Sequence, residues 1–252
     1  MIANLAGKPL FFMHIPRTGG TSLMQYLDQN FAPAAICPAH ELFEFEQLKQ
    51  QHQLVGYSFY RGHFGIDLPR LVDPSPSVIT FLRRPIARVF STWRHLRSHA
   101  VPFQQESGRL VRRIQDMAVA AHRFDFEAFC QFAMEHHGPW FFNSMTVLCT
   151  QGRNPASTDT RSPHELLEDA KRLIDEFFFV GFTESFNRSV ARLQSRFGWR
   201  PETIAHANAA PPSQQSTDQK FHAWLADATA VDDQLYEYAL KKSHEHNSSA
   251  DP

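Results

Sequence analysis

Two short stretches of this chain carry side chains suited to holding anions. "HIPRTGGTSL" (14–23) places Arg17 in a turn with Thr18, Gly19 and Gly20, followed by Thr21 and Ser22. Glycines there let the backbone approach a ligand, and a helix that starts next adds partial positive charge and outward N–H groups. "FLRRPIARVFSTW" (81–93) places Arg83 at the end of an apolar run, with Ser91 two helical turns beyond. An arginine fork beside a hydroxyl suits a second phosphate.

The elements that must position these groups follow from hydrophobic periodicity. "PLFFMHI" (9–15), "YSFYRGHF" (57–64), "SVITFLR" (77–83) and "FFFVGF" (177–182) read as short strands. Leu23, Leu27 and Phe31 form a helix stripe, as do Ile86, Val89, Phe90 and Trp93. "ELFEFEQLKQ" is a further helix, and one long helical region covers about 109 to 137. "SPHELLEDAKRLIDEF" opens on a capping box, Ser162 with Glu165, and has Pro163 at its first position. Phe186, Val190, Leu193 and Phe197 mark another helix, which Gly198 should close in the left-handed conformation. Strands alternating with helices predict an α/β single domain with a central parallel sheet flanked by helices, spanning 1–242. Residues 243–252 are polar and expected to form a disordered tail. Arg83 then falls at the carboxyl end of a strand, where open parallel sheets bind ligands.

Composition narrows the partners. The chain has 252 residues, 42% hydrophobic and 20% charged, enough for one globular core. A formal net charge of −1 argues against nucleic acid or an acidic membrane as partner, so an anion site must be local. No apolar run of about 18 residues suggests a transmembrane helix. The start, "MIANLAGKPLFF", lacks the pattern of a secretory signal. Cys37, Cys130 and Cys149 are odd in number, widely spaced and without histidines at metal spacing, which favours reduced thiols over a zinc site.

Against the nucleoside-triphosphate loop G-x-x-x-x-G-K-[ST], the turn departs twice. With Thr21 in the last position, Met13 stands for the first glycine and Gly20 for the lysine. The cation has moved into the turn as Arg17. A metal-dependent kinase is therefore the weaker alternative, beside a non-catalytic nucleotide-binding protein.

"HIPRTGGTSL" with "FLRRPIARVFSTW" resembles the two cofactor motifs of sulfotransferases, in particular the carbohydrate type related to heparan sulfate 2-O-sulfotransferases. "RGHFG" (61–65), "FFNSMTVLC" (141–149), "FVGFTESFNRSVARL" (179–193) and "DDQLYEYAL" (232–240) extend the likeness over most of the chain. The resemblance implies the P-loop-like sulfotransferase fold. It also implies transfer of a sulfuryl group from 3′-phosphoadenosine-5′-phosphosulfate (PAPS) to a hydroxyl acceptor, a glycan or glycoconjugate, without a metal. Arg17, Thr18, Gly19, Gly20, Thr21 and Ser22 would then cradle the 5′-phosphosulfate, with Arg17 bridging the leaving oxygen. Arg83 and Ser91 would hold the 3′-phosphate. Arg17 stands where the family has lysine, Arg84 where it has an acidic residue, and Trp93 where tyrosine is common. The Arg84 exchange should make the site more basic.

His63, in "RGHF", matches the segment that carries the family's catalytic histidine and is the expected general base. The competing reading is a structural histidine bonded to backbone. His14 should orient the turn, and His136 and His137 read as surface residues. Thr183 and Glu184 either approach the adenine or cap the next helix, with the cap favoured. Arg94, His95, Arg97, His99, Arg109, Arg112 and Arg113 either guide an anionic acceptor or form a charged helix surface. Lack of a membrane anchor, unlike the Golgi enzymes of the family, leads to the expectation of a cytoplasmic bacterial protein. The sequence sets neither the acceptor nor the oligomeric state.

Overall fold

The computed structural model describes residues 5, 7–51, 53, 56–98, 109–152, 159–204 and 218–248, with the side chains at 42–43, 109–114, 139–140 and 246–248 outside that set. Four strands form one parallel sheet: β1 (Leu10–Met13), β2 (Phe59–Gly62), β3 (Ser77–Leu82) and β4 (Phe179–Phe182). Their order across the sheet is β2-β1-β3-β4, with Met13 level with Gly62 on one side and Thr80 on the other. The chain leaves β1 toward β2 and leaves β3 toward β4. Strand order therefore reverses between β1 and β3, the place where open α/β sheets bind ligands.

Both sheet faces are covered, as an all-parallel sheet requires. After β1 come α1 (Gly20–Asp28) and α2 (Leu42–Gln50). Short α3 (Asp67–Leu71) follows β2. Between β3 and β4 lie α4 (Pro85–Ser98), α5 (Arg109–Arg123), α6 (Phe126–His137), α7 (Pro139–Phe142), α8 (Ser144–Thr150) and α9 (Pro163–Glu176). After β4 come α10 (Phe186–Phe197), α11 (Gln219–Ala228) and α12 (Ala230–Ser248). Side chains alternate along β1. Phe11 and Met13 enter one core with Leu148, Leu167 and Leu235, while Leu10 and Phe12 enter another with Leu23 and Leu193. A third apolar cluster sits away from the sheet and joins Val89, Met117, Phe129, Phe141, Phe142 and Leu225.

Several local expectations hold. Ser162 and Glu165 form the capping box with Pro163 in the first turn, and Gly198 closes α10 at φ 68°. Others change. The long helix expected over 109–137 breaks at Phe124, because the Asp125 side chain accepts from Ala128 N–H at 2.9 Å and starts α6 afresh. Helix α12 continues to Ser248, beyond the expected start of the tail at 243, and residues 249–252 lie outside the described set. The three cysteines are buried and form no disulfide, and burial pushes each thiol pKa up, which keeps it protonated. No described helix is long and apolar enough to cross a membrane.

One buried carboxylate joins the helical part to the rest. Asp232, at the start of α12, is fully buried. Its oxygens accept from Met145 N–H at 3.0 Å, Thr146 N–H at 2.8 Å and Thr146 Oγ1 at 2.8 Å. The N-cap residue of α8, Asn143, makes no side-chain cap of its own. It instead accepts from Asp232 N–H at 3.0 Å and donates to Ala228 O at 2.9 Å. Asp232 thus caps α8 from another helix, where negative charge is favoured. Asp232→Ala strands buried donors and is expected to lower the unfolding free energy by about 3 kcal/mol in urea titration. Exposed Asp227→Ala should change it by less than about 0.5 kcal/mol.

Candidate active site

The loop after β1 is built to come close to something. Arg17 adopts φ 70°, a left-handed conformation that costs a non-glycine residue about 1–3 kcal/mol and is kept mostly where a site demands it. Buried Thr18 closes the turn by donating from Oγ1 to Ile15 O at 2.8 Å. Gly19, at φ 87°, is the N-cap of α1, and no side chain caps that helix. Its first N–H groups have no partners within the helix, which is the usual basis of anion binding at a helix start.

Three arginines and one glutamate, Glu41, are the charged residues among the described lining of the cavity in front of this turn. Arg17 Nε donates to Ser91 Oγ at 3.2 Å, and Arg83 Nη1 donates to Arg17 O at 3.0 Å. The residues expected to serve two separate phosphates are thus one connected cluster. Burial lowers the Arg17 pKa, and the neighbouring Arg83 charge lowers it further; burial likewise lowers that of Arg83, against the pull of Glu184. Both remain cations, since guanidinium stays charged in proteins. Like charges held this close suit an anion between them.

Arg88, which the sequence reading left out, is the third. It is 3% exposed, and its Nη2 donates to Phe141 O at 2.6 Å and Phe142 O at 3.2 Å. Its signal was present: it lies five residues after Arg83 and faces the same way as Ser91 on α4. Arg84, by contrast, leaves the site. Its Nη1 donates to Glu237 Oε1 at 2.7 Å, and its guanidinium lies 5.0 Å from the Tyr236 ring centre. The expected gain in local basicity is therefore absent.

His63 follows β2 and lines the same cavity. Its Nδ1 lies 2.8 Å from His14 O. A backbone carbonyl only accepts, so Nδ1 carries the proton and the basic lone pair resides on Nε2. A backbone bond of this kind was the competing structural reading. Here it orients the ring and sets its tautomer, which a general base also needs. Adjacent Gly62 has φ 156°, and a Cβ there would lie 2.2 Å from His40 O, so glycine is required for this strand exit. His63 N–H donates to that same oxygen at 2.8 Å.

His14 joins the turn to His63. Its ring stacks on Phe12 at 5.5 Å and lies 4.4 Å from the His63 ring, centre to centre. A Cβ at Gly20 would lie 2.0 Å from the His14 ring. Gly20 thus makes room for His14 where the nucleotide-triphosphate loop would carry its lysine.

The cavity encloses about 370 Å³ and includes Arg17, Gly19, Gly20, Thr21, Ser22, His63 and Arg83. Thr18 and Ser91 support it from behind as buried residues. His137, expected on the surface, lines the cavity with both ring nitrogens buried. His95 lines it too, whereas Arg97 turns to Ala121 O and Phe124 O at 3.2 and 3.1 Å. His99 and the side chains of Arg109, Arg112 and Arg113 lie outside the described set. Thr183 and Glu184 do not cap α10. Thr183 Oγ1 lies between Thr18 O at 2.7 Å and Leu82 O at 3.0 Å. Glu184 accepts from Arg84 N–H at 2.8 Å and from Tyr236 OH at 2.9 Å. Among the described residues, no group of three His, Cys, Asp or Glu side chains could hold a metal ion.

No family model and no curated protein matches the chain. Solved sulfotransferases do resemble it. A sulfotransferase from Alicyclobacillus acidocaldarius matches over 93% of this chain and 96% of its own, at 17% identity and a TM-score of 0.44. Mouse sulfotransferase SULT7A1, complexed with PAP, matches over 90% of this chain and 64% of its own, at 12% identity and a TM-score of 0.44.

The contact between Gly20 and His14 makes a prediction. Gly20→Ala pushes its methyl into a ring held between Phe12 and His63. Overpacking of this kind is expected to cost about 1–3 kcal/mol of stability in urea titration. Gly198→Ala, whose Cβ meets nothing within 4 Å, serves to separate backbone strain from crowding.

Proposed function

We propose that this protein is a PAPS-dependent sulfotransferase acting on a hydroxyl acceptor, which the sequence resemblance implies is a carbohydrate. The observation that carries the reading is the junction of an uncapped helix start, the Arg17–Arg83 cluster and an Nδ1-held His63 in one cavity. The residues fit a doubly anionic nucleotide. The glycine turn leaves room for backbone N–H contacts, and the described lining carries three cations against one carboxylate.

PAPS, when bound, supplies the sulfuryl group on a phosphate leaving group. The chain's own residues do the rest. His63 Nε2 takes the proton of the acceptor hydroxyl. Arg17 and the first N–H groups of α1 meet negative charge as it grows on the leaving side, already in position and without reorganisation. Ser91 steadies Arg17 through its Nε, and Arg83 steadies the turn through the Arg17 carbonyl. His14 holds the base at a fixed distance from the cradle.

Nucleotide binding tests the co-substrate. 3′,5′-ADP should bind more tightly than 5′-AMP, and Arg83→Ala should remove about 1.5–3 kcal/mol of that preference in calorimetry, the usual worth of a charge-assisted contact. Equal affinities for the two nucleotides in the parent protein would refute the assignment.

Catalysis is tested separately at the base. His63→Ala should bind 3′,5′-ADP like the parent yet lose about 10²–10⁴ in turnover with labelled PAPS. In the parent, turnover should fall on acidification, because a second proton on the imidazole removes the acceptor at Nε2. A folded His63→Ala with full activity would return His63 to a structural role.

A further inference from the structure

Arginine recurs at every fourth position along α10: Arg188, Arg192 and Arg196, then Arg200 just past the Gly198 stop. The three within the helix share one face and follow each other at about 6 Å along its axis. Arg188, Arg196 and Arg200 are exposed, Arg192 is half-buried, and none of the four lines the cavity.

The helix gains nothing from this row. Like charges four residues apart destabilise a helix, and α10 contains no acidic residue to offset them. Arg188 sits in the first turn, where the helix dipole disfavours a cation. Burial lowers the Arg192 pKa, and the neighbouring Arg196 charge lowers it further. Adjacent helices match their charges at close range: Lys171 with Glu168 and Arg172 with Asp169 on α9, and Lys242 of α12 with Asp175. Among the described residues, no carboxylate lies within ion-pair distance of Arg188, Arg192 or Arg200.

Two of the guanidinium groups are already held in place. Arg192 Nη1 donates to Ser243 Oγ at 2.6 Å, and its guanidinium lies 5.7 Å from the Phe179 ring centre. That of Arg196 lies 4.6 Å from the Phe178 ring centre. Ordered forks lose less entropy when they meet carboxylates.

The surroundings narrow the partner to a polypeptide. The apolar face of α10, with Phe186, Val190, Leu193 and Phe197, is buried in the core, so the helix has nothing to insert into a lipid surface. Leu71 and Val119 are the large hydrophobic residues exposed among those described, and no exposed aromatic ring offers a base-stacking platform. Beside the arginines runs a second exposed row, Asn187, Ala191 and Ser195, whose short side chains let another helix approach closely. This chain has no three acidic residues at successive fourth positions, so a second copy lacks the matching row.

We propose that the arginine row on α10 docks an acidic helix of another protein, one that carries carboxylates at every fourth position.

Fluorescence anisotropy on the full chain tests it with a labelled alanine-based helical peptide bearing glutamate at every fourth position. The comparison probes are a peptide of the same composition with irregular glutamate spacing, a heparin oligosaccharide and a thymidine oligonucleotide. The regular peptide should bind most tightly, and raised salt should weaken it because exposed charge pairs are screened. Arg188→Ala should weaken it about two- to fivefold and Arg188→Ala with Arg196→Ala about tenfold, whereas Arg70→Ala on α3 should not change it. Arg188→Ala should also leave the thermal midpoint no lower than the parent's, since the helix loses a repulsive charge. If the double variant does not fold, Arg200→Ala, beyond the helix end, should still weaken binding about two- to fivefold. No binding of the regular peptide, equal binding of the irregular one, binding that folded variants leave unaltered, or a lowered midpoint for Arg188→Ala would overturn the proposal. Tighter binding of heparin or of the oligonucleotide, lost in the same variants, would overturn it in favour of that polyanion. Self-association of the parent that the double variant abolishes would overturn it in favour of a second copy.

Discussion

Electrostatic repulsion between Arg17 and Arg83 is the constraint around which the site is organised. Two half-buried guanidinium groups lie close enough that each is bonded into the same short stretch of backbone and side chain. At a few ångströms, such a pair costs energy unless polar groups or an anion compensate. The fold supplies part of that compensation through Ser91 Oγ and the Arg17 carbonyl, and Glu184 contributes from the β4 side. A parallel sheet makes the arrangement possible, because β1, β3 and β4 all end on one edge.

The same edge explains why the turn is rigid. Thr18 binds back to Ile15, Thr183 reaches over to Thr18 and Leu82, and Arg83 holds Arg17. Residues from three strand ends thus converge on a few peptide units. His14 extends the linkage to the fourth strand, because its carbonyl holds His63 after β2. The turn and His63 are tied through backbone, because the carbonyl that holds His63 belongs to His14, three residues before Arg17.

What could be read from the sequence was local in origin. The strands declare themselves as short apolar runs, and the Ser162 box and Gly198 stop act within one turn of their own helices. The glycine turn and the arginine–serine spacing pointed to one edge of the sheet, where the structure brings Arg17, Ser91 and Arg83 together, because the ends of parallel strands follow from strand direction. The pieces that were not legible depend on residues far apart. Asp232 caps a helix that begins 88 positions earlier, at Ser144, and spacing along the chain gives no sign of it. Glu184 looked like a cap because it follows a strand, yet Arg84 N–H and Tyr236 OH, on other elements, claim it. Arg84 read as a site cation and was drawn away by Glu237 on α12. The break before Asp125 is the exception, since an aspartate ahead of an apolar run is a local signal that the periodicity of the flanking helices concealed.

The third apolar cluster has a consequence for how this architecture can change. Its helices, α4 to α7 with α11, pack chiefly on one another and form one wall of the cavity, while the sheet keeps its own two cores. A substitution at Met117 or Phe141 therefore alters the shape of that wall with little strain passed to the strands that carry the turn. Divergence can explore new pocket shapes in the helical half while the strand ends that carry the turn stay the same.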